Sequence, residues 1–137
     1  MAGDVALAPA APANVIRKDR SKASGVEFFR WQIEDVHPAC YDVKARLALM
    51  DELEIWAQIV YPNLAGFGNQ RFLKIEDADL RNACVYIYND AMAELQRDSG
   101  ERIFPMALIP WWDIPAAVKE VERVHGKAGR AETATDP

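Results

Sequence analysis

The chain has 137 residues, half of them hydrophobic and 27% charged, with a formal net charge of −5. That length allows one domain with a core of ordinary size. The acidic balance argues against nucleic acid or an anionic membrane as partner, because both select a basic face.

Residues 1–25 read as a flexible Ala/Pro-rich tail with a basic end. Asp4, Pro9 and Pro12 interrupt its apolar residues. No secretory leader is therefore expected, nor a membrane span, which needs about 20 apolar residues in a row. The basic cluster of Arg17, Lys18, Arg20 and Lys22 lacks interleaved aromatics and reads as solvated linker. The two cysteines, Cys40 and Cys84, form no CxxC pair. Reduced thiols in a cytoplasmic protein are the expectation.

Phe29, Trp31 and Ile33 alternate with Arg30, Gln32 and Glu34, which predicts a half-buried extended segment ended by Pro38. From Asp42, placed as a cap, Val43, Leu47, Met50 and Leu53 recur at helical spacing. Residues 55–61 (IWAQIVY) are short, β-rich and nearly all apolar. They predict a parallel strand buried on both faces. Pro62, Asn63, Gly66 and Gly68 make a loop. The next helix starts near Asp77, with Leu80, Cys84, Ile87, Ala91 and Leu95 as its buried stripe and Gly100 as its stop. Residues 103–109 form a second apolar strand. A last helix runs from about Pro115, with Ile114, Val118, Val121 and Val124 on one face and Gly126 at its end.

Two parallel strands around a crossover helix make a βαβ unit, which places the chain in the α/β class. Strands apolar on both faces need neighbours along their edges and helices on each side. Two such strands are too few for a closed set. Further βα units, or another chain, are expected to complete the sheet.

Two runs of the sequence carry a resemblance. HPACYDVKARLALMDELEIWAQIVYPN, followed by YNDAMAELQRDSGERIFPMALIPWWDIPAAVKEVERV, resembles the amidohydrolase-related family of TIM-barrel hydrolases and decarboxylases. The matching features are Arg46, Leu47, Met50 and Asp51 in the first helix, then Tyr61-Pro62-Asn63 after the strand. Asn89-Asp90, Arg102, Pro110, and Ala116-Ala117-Val118 with Glu120 follow in the family's order. The likeness covers about residues 27–129. It implies an incomplete (β/α)8 TIM barrel of about two to three βα units within residues 26–126. Residues 127–137 would then be a C-terminal tail cut off before the next strand.

The function implied is a segment of a metal-dependent enzyme that hydrolyses C–N or C–C bonds, or removes carboxylate nonoxidatively, from a small-molecule substrate. Members of that family hold a divalent metal, commonly zinc, through a His-x-His pair on the first strand, a later His and an Asp near the last strand. The only histidines here are His37 and His125, far apart and outside any His-x-His. No catalytic residue or metal ligand carries over, and the chain alone is expected to bind no metal and to be inactive.

Tyr61, Asn63, Trp111, Trp112 and Asp113 follow the two strand ends. In a barrel that face carries the active site, so they are the substrate-pocket candidates. The competing reading packs the tryptophans under the loop and makes Asp113 a helix cap. Other constellations are weaker. His37 and Cys40 are too few donors for a tetrahedral site. His125 complements a helix C-terminus, and Asp77 and Asp79 a helix N-terminus. Gly66-Phe67-Gly68 lacks the third glycine of a nucleotide loop. The alternative function is a non-catalytic α/β binding or assembly module, a homo-oligomer joined through open sheet edges.

Overall fold

The structure, a computed structural model, describes residues 16–21, 30–62 and 70–128. Among the described residues, three α-helices and a two-stranded parallel sheet make a mixed α/β fold: α1 (Val43–Glu52), β1 (Gln58–Val60), α2 (Ala78–Asp98), β2 (Ile103–Pro105) and α3 (Ile114–Ala128). Single 3-10 turns at Ile33–Asp35, Pro38–Cys40 and Gln70–Lys74 punctuate the connections.

The expected half-buried extended segment gives way to turn structure over its described residues, 30–34. Asp35 folds back so that its Oδ2 accepts from Gln32 N at 2.9 Å, which closes a capping box over Ile33–Asp35. Ile33 is left more than half exposed. A side-chain cap satisfies backbone donors locally, and the alternation then has no ladder to join. Residues 16–21 lie against this region. Lys18 N donates to Asp35 O at 2.8 Å and His37 N to Ile16 O at 2.7 Å. Arg20 pairs through both terminal nitrogens with the Glu52 carboxylate, so this member of the basic cluster is not free linker. The rest of the expected tail, residues 1–15 and 22–25, lies outside the described residues.

Helix α1 starts where its sequence says. Asp42 Oδ1 accepts from Ala45 N at 2.7 Å, satisfying one of the donors that a helix N-terminus leaves unpaired. Met50 and Leu49 are buried, whereas Leu53 at the C-cap is not. Glu54, with φ +58°, turns the chain into β1.

β1 and β2 pair in parallel with Gln58 opposite Ile103, Ile59 opposite Phe104 and Val60 opposite Pro105. Both strands are shorter than predicted, at three residues each. The bonds at the two ends of the ladder, Gln58 N to Arg102 O at 2.9 Å and Met106 N to Val60 O at 2.8 Å, use residues 102 and 106, so Pro105 turns its nitrogen away from β1, on the open edge where a proline is tolerated. Burial on both faces is also corrected. Ile103 is 3% exposed, but Ile59 opposite Phe104 is 65% exposed, and Trp56 and Tyr61 flank them in the open. One face of the sheet is covered and the other is bare.

Helix α2 is the crossover. Asp77 Oδ1 accepts from Asp79 N and Leu80 N, as the sequence predicts for its start. Its end is a Ser99 turn: the buried hydroxyl donates to Gln96 O at 2.7 Å and accepts from Ile103 N at 2.9 Å, tying the last turn of α2 to the first residue of β2. Gly100 follows with φ +61°, a conformation glycine adopts without strain.

The buried face of α2 is not the predicted stripe. Ile87 is 69% exposed and Leu80 and Ala91 are exposed too, while Val85 and Asn89 are the buried residues. α3 departs in the same way. Ile114, Val118 and Val121 are exposed, and Ala117 and Glu120 are buried. The helix also continues past Gly126. The physical cause is a polar seam between the two helices, described next. The apolar core itself is Phe72, Ile75, Val85 and Leu108, with Cys84, Tyr86, Tyr88 and Trp112 packed around it.

Candidate strand-end site and the polar seam beside it

The chain leaves β1 and β2 at the same end of the parallel sheet, so topology puts Tyr61 and the Trp111–Asp113 segment on one side of the molecule. Tyr61 is 68% and Trp111 47% exposed. Trp112 is half-buried. Its ring lies 5.7 Å from Phe72 and 5.8 Å from Trp111, edge-on to the latter. Its Nε1 donates to Asn82 Oδ1 at 3.3 Å. Asp113 Oδ1 accepts from Ala116 N at 3.0 Å, the N-terminal cap of α3. Among the five pocket candidates, Tyr61 and Trp111 thus present open aromatic surface, Trp112 joins the core and Asp113 serves the helix. Asn63 lies outside the described residues, as does Gly66-Phe67-Gly68.

A residue that periodicity does not pick out adjoins this group. The Arg81 guanidinium, in the first turns of α2, sits 5.4 Å from the centre of the Trp112 ring. Its Nε is buried without a hydrogen-bond partner. A cation at that distance is attracted by the negative face of the indole.

The seam between α2 and α3 explains why both helices are rotated from their apolar stripes. Asn89 Oδ1 accepts from Leu108 N at 2.8 Å, and Asn89 Nδ2 donates to Leu108 O at 2.9 Å. One amide thereby satisfies both backbone groups of a residue beyond the end of β2. The same Nδ2 reaches Glu120 Oε1 at 2.6 Å. Arg123 donates from Nε and from a terminal nitrogen to the two Glu120 oxygens, each at 2.7 Å, and also pairs with Asp90. The Glu120 side chain is completely covered. A buried carboxylate is tolerable only when its oxygens are matched in this way. The hydrogen bond from Arg123 to Glu120 raises the guanidinium pKa above its ordinary range, which keeps Arg123 charged throughout.

On the other flank Arg102 does similar work in the open. Its Nε and a terminal nitrogen donate to Trp56 O and Ile55 O at 2.9 and 3.0 Å, and it pairs with Asp51 at 2.6 Å. The loop before β2 is thereby fastened to the entry of β1.

An open cavity of about 570 Å³ lies on the sheet, lined by Ile59, Phe104, Met106, Gln58 and Gln96 among others. It is apolar and does not include the strand-end candidates. Among the described residues, no group of three or more His, Cys, Asp or Glu side chains is placed to hold a metal ion. His37 Nδ1 is committed to Ala39 N at 3.1 Å. These residues do not fit the zinc centre that the family likeness implies, and no chemical step is assigned to them. No helix among the described residues is long and apolar enough to cross a membrane.

Compared with known proteins, the chain matches no family model, no curated protein and no solved structure.

Proposed function

We propose that this chain forms part of the wall of a metal-dependent amidohydrolase-like (β/α)8 barrel. The complete enzyme would hydrolyse a C–N or C–C bond, or decarboxylate a small carboxylated substrate, with its metal held by βα units other than these. The observation that carries the reading is the parallel β1–α2–β2 unit, helix-covered near Ile103 and bare at Ile59 and Phe104. In a closed barrel each strand has a neighbour on both edges, helices outside and a packed interior, so a bare apolar face with open edges is what a section of wall presents. Tyr61 and Trp111 then stand at the strand-end mouth, where barrel substrates bind.

The reading is tested by joining the chain to the polypeptide encoded on either side of it and measuring zinc content and turnover. Stoichiometric zinc with hydrolase or decarboxylase activity, absent from the isolated chain, supports it. Stop codons bracketing the chain, with a stable monodisperse oligomer in solution, would overturn it. That second outcome favours an assembly module, for which the exposed stripe Ile114, Val118 and Val121 of α3 is the supporting observation.

A further inference from the structure

We infer that the outer edge of β1 docks a second copy of this chain, the two β1 strands pairing antiparallel about a two-fold axis at Ile59. The inference concerns the isolated chain and does not rest on the barrel reading, in which the strand preceding β1 takes the same edge.

The two edges of the sheet differ in what they offer. Gln58 N donates to Arg102 O and Met106 N to Val60 O. With this parallel register the peptide groups of Gln58 and Val60 face β2, and Phe104 faces β1. Peptide direction alternates along a strand, so Ile103 and Pro105 face outward from β2, and Ala57, Ile59 and Tyr61 outward from β1. On β2 the Ile103 N–H is taken by Ser99 Oγ at 2.9 Å, and Pro105 has none. That edge offers acceptors only and cannot pair with itself. On β1 Ile59 keeps both its N–H and its C=O, and among the described residues no backbone group bonds to either. Native sheets protect an open edge with charge or proline. Residues 55–61, IWAQIVY, carry neither.

One pairing uses the β1 edge in full. Opposed residues of an antiparallel pair that face the same gap exchange both of their backbone bonds. With Ile59 opposite Ile59 of the second copy, Ala57 falls opposite Tyr61 and Tyr61 opposite Ala57, and all three face the gap. The large ring then meets the small methyl, with the isoleucines between them. These side chains share the face of Phe104 and Met106, which line the open cavity with Ala57 and Ile59. No like charges meet across the axis. Pairing β1 with β2 of another copy would leave β1 acceptors without donors and would repeat without closing, whereas the two-fold pair closes. The result is one four-stranded sheet in the order β2-β1-β1-β2.

Trp56, Ile59 and Tyr61 are each more than half exposed. A buried aromatic side chain covers about 150–250 Å², whereas a stable complex buries about 800 Å² on each partner. One short strand with these side chains falls short of that area, so the dimer is reversible and fills as concentration rises.

The test is sedimentation equilibrium of the isolated chain over a wide range of concentration, with amide hydrogen exchange on the same samples. A monomer–dimer equilibrium is expected, and the Ile59 amide should exchange more slowly as concentration rises while that of Val60, already bonded within the sheet, does not respond. Ile59→Lys sets two like charges against each other at the axis and should weaken association by about tenfold or more. Val118→Lys, on the exposed stripe of α3, should leave it unchanged. A chain monomeric throughout, association beyond the dimer, a dimer that survives Ile59→Lys or is lost in Val118→Lys, or an Ile59 amide indifferent to concentration would each overturn the assignment. Far-UV spectra check that both variants fold; if the Ile59 variant does not, exchange in the unsubstituted chain decides. Zinc uptake plays no part in these measurements, so this inference and the barrel reading can each fail alone.

Discussion

The α2–α3 seam and the bare side of the sheet reverse the usual allocation of residues. The seam buries Asn89 and Glu120, at 2% and 1% exposure, while the sheet and α3 leave Ile59 and Val118 more than half open. The seam works because every polar group in it is matched: Asn89 serves both backbone atoms of Leu108, and Glu120 takes Asn89 and Arg123. Hydrogen bonds of this kind are worth little net but much when half-made, so the geometry is exacting where hydrophobic contact is tolerant. A helix can be turned by tens of degrees and still bury apolar area. It cannot be turned and keep Asn89 on Leu108. The polar contacts therefore set the rotation of both helices, and the apolar stripes fall where that rotation leaves them.

The comparison breaks most directly at Asn89. Asn89→Ala leaves Leu108 N–H and C=O buried without partners and takes one donor from Glu120. It is expected to lower stability by about 3 kcal/mol, read from urea unfolding. Ile87→Lys on the exposed side of the same helix should change stability by less than about 0.5 kcal/mol. Equal effects at the two sites would mean that the seam does not govern the packing of α2.

A smaller effect is expected at the start of α2. Asp77→Ala removes the acceptor for Asp79 N and Leu80 N and should cost about 1 kcal/mol, with Asp77→Asn recovering most of it. Loss of more than the seam variant would place the anchor of α2 at its cap.

The smallest effect sharpens the contrast with the exposed flank. The Arg20 guanidinium bonded to Glu52 holds that carboxyl below its ordinary 4.5. A lowered folded-state pKa contributes stability present above the unfolded value and lost as pH falls through the folded one. Carboxyl NMR titration should find Glu52 ionising below 4.5, and Arg20→Gln should raise it. Tyr88 responds to burial instead. Its pKa is raised above 10.0, so its contribution is present below 10.0 and lost as pH rises through the raised value. Adding salt should reduce the Glu52 effect and leave Tyr88 unmoved, because only the exposed pair is screened.

Local chemistry was legible wherever a residue acts on its own backbone neighbourhood. Asp42 and Asp77 cap their helices as their positions imply, and the apolar β-rich runs around residues 58–60 and 103–105 do form parallel strands about a crossover helix. Periodicity misjudged which helix faces are buried. A hydrophobic stripe reports a preference to leave water, yet Leu80, Ile87 and Ala91 of α2 and Ile114, Val118 and Val121 of α3 are exposed, while Cys84 packs against the core. Of the site, the strand-end aromatics were legible because connectivity alone sends Tyr61 and Trp111 to one end of a parallel pair. Arg81 was not, because stacking on an indole 31 positions away leaves no spacing signal.

By itself the sequence determined the coarse α/β class, the order of elements from α1 onward and the helix starts, and the last of these depend on contacts within about four residues. Tertiary structure alone decided the rotation of α2 and α3, the burial of Glu120 and the placing of Arg81 on Trp112. Each of these joins residues at least nineteen positions apart, the separation of Asn89 from Leu108. A chain reveals such pairings only once its backbone has brought both partners to the same place.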